Sequence, residues 1–135
     1  MRGGLVLRSV VLGVVFVASV SAAARAQDAA AGEKDFVVCR ACHQIGPNAK
    51  NAVGPELNGV IGRKAGTVAG FNYSAANKES GITWNEETLT PYLENPQKVV
   101  KGTKMAFPGL HDPQKVKDVI AFLSQYNEDG TKKTQ

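Results

Sequence analysis

Cys39-Arg40-Ala41-Cys42-His43 brings together the residues of this chain best suited to chemistry, and it uses both of its cysteines. Two thiols at this spacing can form thioether bonds to the vinyl groups of a haem. The adjoining imidazole can then bind the iron, so the run reads as a c-type haem attachment site. A disulfide between residues this close would close a tiny loop and add little stability through chain entropy. A thioredoxin-like dithiol needs strands alternating with helices, and no such alternation is visible. Zinc wants four ligands in a closed site, whereas His111 is the one histidine left and no cysteine remains.

A haem iron takes two axial ligands, and two residues compete to be the second. Met105 offers a soft, neutral thioether and becomes the sole methionine once Met1 is removed with the leader. It lies in a loop bracketed by Gly102 and Pro108-Gly109, whereas a methionine serving as core gap-filler more often sits on a helical stripe. His111 is the rival imidazole, with a solvated surface side chain as its plainer role.

The elements that must position these residues begin after a leader. Arg2 and Arg8 flank the charge-free apolar stretch Val10 to Val20, followed by small residues ending Ala24-Arg25-Ala26. That pattern predicts a secretory signal peptide over 1–26. Val10 to Ala24 is too short and too interrupted for a spanning helix of about 20 apolar residues, so no stable membrane anchor is expected. One domain over 27–135 follows, of 109 residues. Losing Arg2, Arg8 and Arg25 takes 16 basic residues to 13 against 12 acidic ones, a net charge of +1. Two haem propionates would bring it to about −1. The lysines are scattered and no basic stripe interleaves with aromatics, which excludes nucleic acid.

Within the domain a first helix is predicted from Gly32 to about Ala41, with Phe36, Val37 and Cys39 on its apolar side. The stretch 44–67 is dense in glycine and proline, which breaks regular structure; a short helix over Gly59–Gly62 is the one element placed inside it. Ser74 to Lys78 predicts a short helix and Gly81 to Trp84 an extended piece. Asn85 or Thr83 caps the next helix, which carries Glu86-Glu87 in its first turn. Leu89, Tyr92 and Leu93 share one face there. Pro91 suits its first turn or so, and Asn95-Pro96 ends it. Gln97 to Leu110 reads as loop. Asp112 and Pro113 open the last helix, striped by Val116, Val119, Ile120 and Leu123; 128–135 is a polar tail expected to fray. The sum is all-α: four to five helices and long loops. Loops of this length suggest that they wrap something apolar.

The runs Gly54-Pro55, Leu57, Gly59, Gly62-Arg63-Lys64, Phe71, Tyr73, Ala76-Asn77-Lys78 and Gly81-Ile82-Thr83-Trp84 resemble class I cytochrome c. So do Tyr92-Leu93-Glu94-Asn95-Pro96 and Gly102-Thr103-Lys104-Met105. The likeness is to mitochondrial cytochrome c and the short bacterial cytochrome c2, from Gly32 to about Asn127. It implies the cytochrome c fold around one haem c, attached through Cys39 and Cys42 and ligated by His43 and Met105. Pro55 would fix the His43 ring through its carbonyl. Arg63, Tyr73 and Trp84 would serve the propionates, and Asn77, Tyr92 and Thr103 would stand on the methionine side. Gly32 and Phe36 would pack across Val119 and Phe122.

The resemblance also implies function: a periplasmic, monomeric one-electron carrier and not an enzyme. A cytochrome bc complex would be its donor, and a terminal oxidase or photosynthetic reaction centre its acceptor. A haem module dedicated to one dehydrogenase is the alternative, and an open-site haem peroxidase or sensor a more distant one. Lys34, Lys50, Lys98, Lys101 and Lys104 would form the docking face, with Lys115 and Lys117 nearby. Val38, Ala52, Gln97 and Asp112 stand where mitochondrial cytochromes carry lysine, so the positive field should be weaker, and reaction with an acidic partner should slow as salt rises.

Overall fold

The structure, a computed structural model, describes residues 26–134. The signal peptide expected over 1–26 therefore lies outside the described residues apart from Ala26. Among those described, no helix is long and apolar enough to cross a membrane. Five α-helices are present there: α1 (Ala29–Asp35), α2 (Ala75–Glu79), α3 (Glu86–Glu94), α4 (Pro96–Val99) and α5 (Pro113–Ser124).

Helix α1 begins three residues before the predicted Gly32, because Asp28 is an N-cap: its carboxylate accepts from Ala30 N at 2.9 Å and Ala31 N at 3.1 Å. It also stops earlier than expected, tightening into a 3₁₀ turn over Phe36–Val38. Hydrogen-bonded turns then carry the chain on, with Cys42 N and His43 N both donating to Cys39 O at 3.1 and 2.9 Å. Gly32 is where α1 crosses α5. A Cβ there would lie 1.8 Å from the Asp118 carbonyl oxygen, so only glycine lets the backbones approach this closely. Phe36 and Phe122, both fully buried, meet at 5.1 Å between ring centroids, and Val119 is buried beside them.

Capping explains α2, α3 and α5. Ser74 Oγ accepts from Asn77 N at 3.1 Å. Asn85 and Thr88 cap reciprocally, each side chain accepting from the other's backbone N–H at 2.9 Å. Asp112 accepts from Gln114 N at 2.8 Å, with Pro113 in the first helical position. The stripes Leu89–Tyr92–Leu93 and Val116–Val119–Ile120–Leu123 are buried as predicted. Pro91 departs from expectation: it is inside α3, beyond the first turn. Glu87, whose carbonyl it leaves without a helical donor, is exposed, as is Pro91 itself, so water can serve that group.

The predicted loop from Gln97 contains α4. Asn95 ends α3, its N–H donating to Pro91 O at 3.0 Å, and also caps α4, its side chain accepting from Lys98 N at 3.0 Å. Pro96 thus stops one helix and starts another. The short helix expected at Gly59–Gly62 is replaced by successive turns, Val60 N to Leu57 O and Arg63 N to Val60 O. Gly59 and Gly62 have φ of +60° and +92°, which no right-handed helix accommodates. The extended piece 81–84 lies antiparallel to 63–65, with Trp84 N donating to Arg63 O at 2.9 Å. The tail read as fraying carries bonds of its own: Asn127 N to Thr131 O at 2.9 Å, Lys133 N to Gln125 O at 2.7 Å, and a bridge between Tyr126 and Lys132.

Candidate haem site

Between the α1–α5 crossing, α3 and the long loops lies a cavity of about 280 Å³ with mostly apolar walls. Every cofactor residue picked from the sequence lines it: Cys39, Cys42, His43, Pro55, Arg63, Tyr73, Asn77, Trp84, Tyr92, Thr103 and Met105. His111, the rival ligand, is exposed and contributes nothing to these walls.

The turn after α1 brings Cys39 and Cys42, both half-buried, to the cavity wall. Burial, helped by the neighbouring Cys42, pushes the Cys39 thiol up to about 11. His43 Nδ1 lies 2.7 Å from the Pro55 carbonyl oxygen. A carbonyl only accepts, so Nδ1 carries the proton and Nε2 keeps the lone pair that an iron needs. Burial lowers the His43 pKa; the Pro55 bond works against this, and the Arg63 charge adds to it. Gly54 makes room for the ring, since a Cβ there would lie 2.4 Å from His43 Cε1.

Met105 enters on the loop after α4, half-buried. Its N–H donates to Thr103 Oγ1 at 3.2 Å. The same hydroxyl oxygen accepts from Asn77 Nδ2 at 3.0 Å and lies 3.4 Å from the Tyr92 hydroxyl. The residues predicted to surround the methionine are therefore one hydrogen-bonded group centred on buried Thr103. Tyr92 packs on Trp84 at 4.6 Å between ring centroids. Tyr73 is raised in pKa, chiefly by burial, and its hydroxyl accepts from Val68 N at 3.4 Å.

Arg63 reaches the cavity wall, but its guanidinium is already engaged. Nη1 donates to Glu56 Oε1 at 3.0 Å and Asn58 O at 2.9 Å, and Nη2 donates to Glu56 O at 2.9 Å. Glu56 was invisible in the sequence, because a tight series of turns makes the pairing across seven residues. Gly54 and Gln97 were missed as site residues too; Gly54-Pro55 beside a candidate ligand was the available signal for the first.

These observations fit a covalently held haem: two thiols beside an imidazole whose tautomer is fixed, apolar walls, and a thioether on the same cavity. Lys34, Lys50, Lys98, Lys101 and Lys104 are all exposed. Lys104 is also tethered, its Nζ donating to Asn72 O at 3.0 Å. Lys115 is paired with Asp35 at 3.2 Å. Val38 and Val53 are exposed by 51% and 77% while lining the cavity, so its rim is partly apolar.

No protein-family model matches the chain. Among curated proteins it is 54% identical over 127 residues to cytochrome c2 of Blastochloris viridis, covering 94% of this chain and 100% of that protein. Among solved structures it resembles cytochrome cH from Methylobacterium extorquens, with TM-score 0.68 and 52% identity over 72% of this chain and 97% of that one. Cytochrome c2 from Rhodospirillum centenum matches with TM-score 0.70 and 44% identity, over 74% and 98% respectively.

Proposed function

The chain belongs to the class I cytochrome c family, beside the bacterial cytochromes c2, and from that premise we propose a periplasmic one-electron carrier ligated by His43 and Met105. Electron carriage and a covalent haem c are properties of the family, and the Cys39–Cys42 pair is the attachment point. When bound, the haem supplies an iron that alternates between ferric and ferrous states. The protein's own residues do the rest. Pro55 orients His43, the Thr103-centred group holds the Met105 backbone, and the apolar walls exclude water. With His43 and Met105 both holding the iron, no position on it would be left for a substrate, so the reading is a carrier and not an enzyme. The observation that supports it most is the convergence of Cys39, Cys42, His43 and Met105 on one cavity from separate segments.

The leader 1–26 would be cleaved on export. The partners would be a cytochrome bc complex as donor and a terminal oxidase or reaction centre as acceptor, meeting a monomer transiently through Lys34, Lys50, Lys98, Lys101 and Lys104. A thioether-to-iron absorption band in the ferric protein, its loss in Met105→Ala, and no carbon monoxide binding after reduction are the expected results. Ready carbon monoxide binding by the parent protein would refute the two-ligand carrier. Electron-transfer rates that ignore ionic strength would refute the lysine docking face.

A further inference from the structure

The loop that carries Met105 is held chiefly by side chains. Among the described residues, no backbone–backbone hydrogen bond is made between Lys104 and Gly109; the nearest are Thr103 N to Val100 O and Leu110 N to Leu93 O. Gln97, on α4, fills part of that gap. Its Nε2 donates to two backbone carbonyls of the loop, Thr103 O and Met105 O, both at 3.1 Å. The primary amide has two N–H donors, one for each carbonyl. Together with Thr103 Oγ1, which accepts from Met105 N, it leaves both backbone polar groups of Met105 bound to side chains. The base of the clamp is firm: Pro96 is fully buried, Val100 nearly so, and Asn95 caps the helix.

We propose that Gln97 is a positioning residue that latches the Met105 loop closed and so sets how readily an outside ligand displaces the thioether. The proposal rests on Met105 being the second axial ligand. An outside ligand binds only the form in which the loop has swung away, so its apparent affinity scales with the population of that form. Removing the latch raises that population. Two neutral hydrogen bonds near the surface, of average worth or somewhat less, correspond to about a three- to thirtyfold change.

The test uses the ferric haem-bound protein and imidazole as probe. Gln97→Glu keeps the shape but turns a donor into an ionised acceptor facing two carbonyls; Gln97→Ala simply removes the amide. Imidazole should bind both variants about three- to thirtyfold more tightly than the parent, with the larger effect in Gln97→Glu. Global stability should fall as well, because the unfolded chain lacks the two bonds just as the open form does. In a Met105→Ala background, where no thioether has to be displaced, Gln97→Ala should leave imidazole affinity unchanged. Unchanged imidazole affinity in both variants would overturn the latch. So would an equal affinity gain from Gln97→Ala in the Met105→Ala background, which would make Gln97 merely structural. If the parent lacks the thioether-to-iron band and Met105→Ala binds imidazole no more tightly, the ligation reading has failed instead.

Discussion

Gly54→Ala should damage the site through one methyl group, and the structure fixes how far. The new Cβ would lie 2.4 Å from His43 Cε1, 2.7 Å from Nδ1 and 2.8 Å from Nε2. Carbon contacts become comfortable near ~3.5 Å, so the imidazole must retreat by about 1 Å. The backbone cannot yield in its place, because Gly54 N donates to Cys42 O at 2.8 Å and Ala52 N donates to Gly54 O at 2.9 Å. A retreating ring stretches the 2.7 Å contact with Pro55 O beyond hydrogen-bonding range. Overpacking costs ~1–3 kcal/mol and the lost bond about 1 kcal/mol more, a destabilisation of roughly 2–4 kcal/mol. In a domain of this size each kcal/mol moves Tm by ~4–8 °C, so the Tm of the haem-bound protein should fall by about 8–32 °C. The iron's absorption spectrum should change with it, since the moved group is a proposed ligand. A Gly54→Ala protein with Tm within about 3 °C of the parent and the same spectrum would refute this account of the His43 environment.

Gly32→Ala should cost at least ~3 kcal/mol, because its Cβ meets the α5 backbone at 1.8 Å; Tm should drop while the spectrum of the folded protein stays unchanged, and an unaltered Tm would disprove the close α1–α5 crossing. Glu56→Gln removes the carboxylate that offsets Arg63 at the cavity wall; loss of a nearby negative charge disfavours the ferric state, so the reduction potential should rise, and an equal or lower potential would show that the pair does not act on the iron. In the haem-free chain the Cys39 thiol, raised from 9.0 to about 11 by burial and the adjacent Cys42, should at pH 8 hold about a hundredth of the usual thiolate. Because the unfolded chain ionises first, folded haem-free protein should lose stability as pH rises from 9 towards 11; Cys39 alkylation titrating near 9 would contradict this.

The attachment run, the Met105 loop, and helices α3 and α5 were legible in the sequence because their signals are local. A capping residue, an acidic first turn and a stripe of apolar residues lie within one or two turns of chain. The misreadings share a different cause. Asn95-Pro96 carries both a stop and a start signal, and only the path of the chain beyond shows that α4 uses the second. Asp28 caps a helix that the sequence places only from Gly32, because Ala29 to Ala31 carry no polar–apolar pattern. Gly59 and Gly62 sit at a spacing that fits a short helix, yet their positive φ values demand turns. The contacts of Glu56 and Gln97 were not legible because their partners are brought to them by tertiary turns rather than by sequence spacing.

The Met105 loop shows why so little regular structure suffices to hold a proposed metal ligand. Its entrance is fixed by Thr103 N bonding to Val100 O at 3.0 Å, and its exit by Leu110 N bonding to Leu93 O at 2.8 Å. At the exit Gly109 has φ of +107°, and a Cβ there would lie 1.9 Å from the Glu94 carbonyl oxygen, so the strand of chain can run directly against the end of α3. Between these pins, Asn77 and Tyr92 converge on Thr103, Thr103 and Gln97 grip Met105, and Lys104 reaches across to Asn72. A helix or strand would have spent the same backbone groups on its own ladder and aimed its side chains by period. Side-chain clips leave the thioether's direction free to be set by the cavity, and they resist displacement because several must open together. A carrier benefits from that arrangement: a ligand that stays in place in both oxidation states leaves little to rearrange when the electron moves.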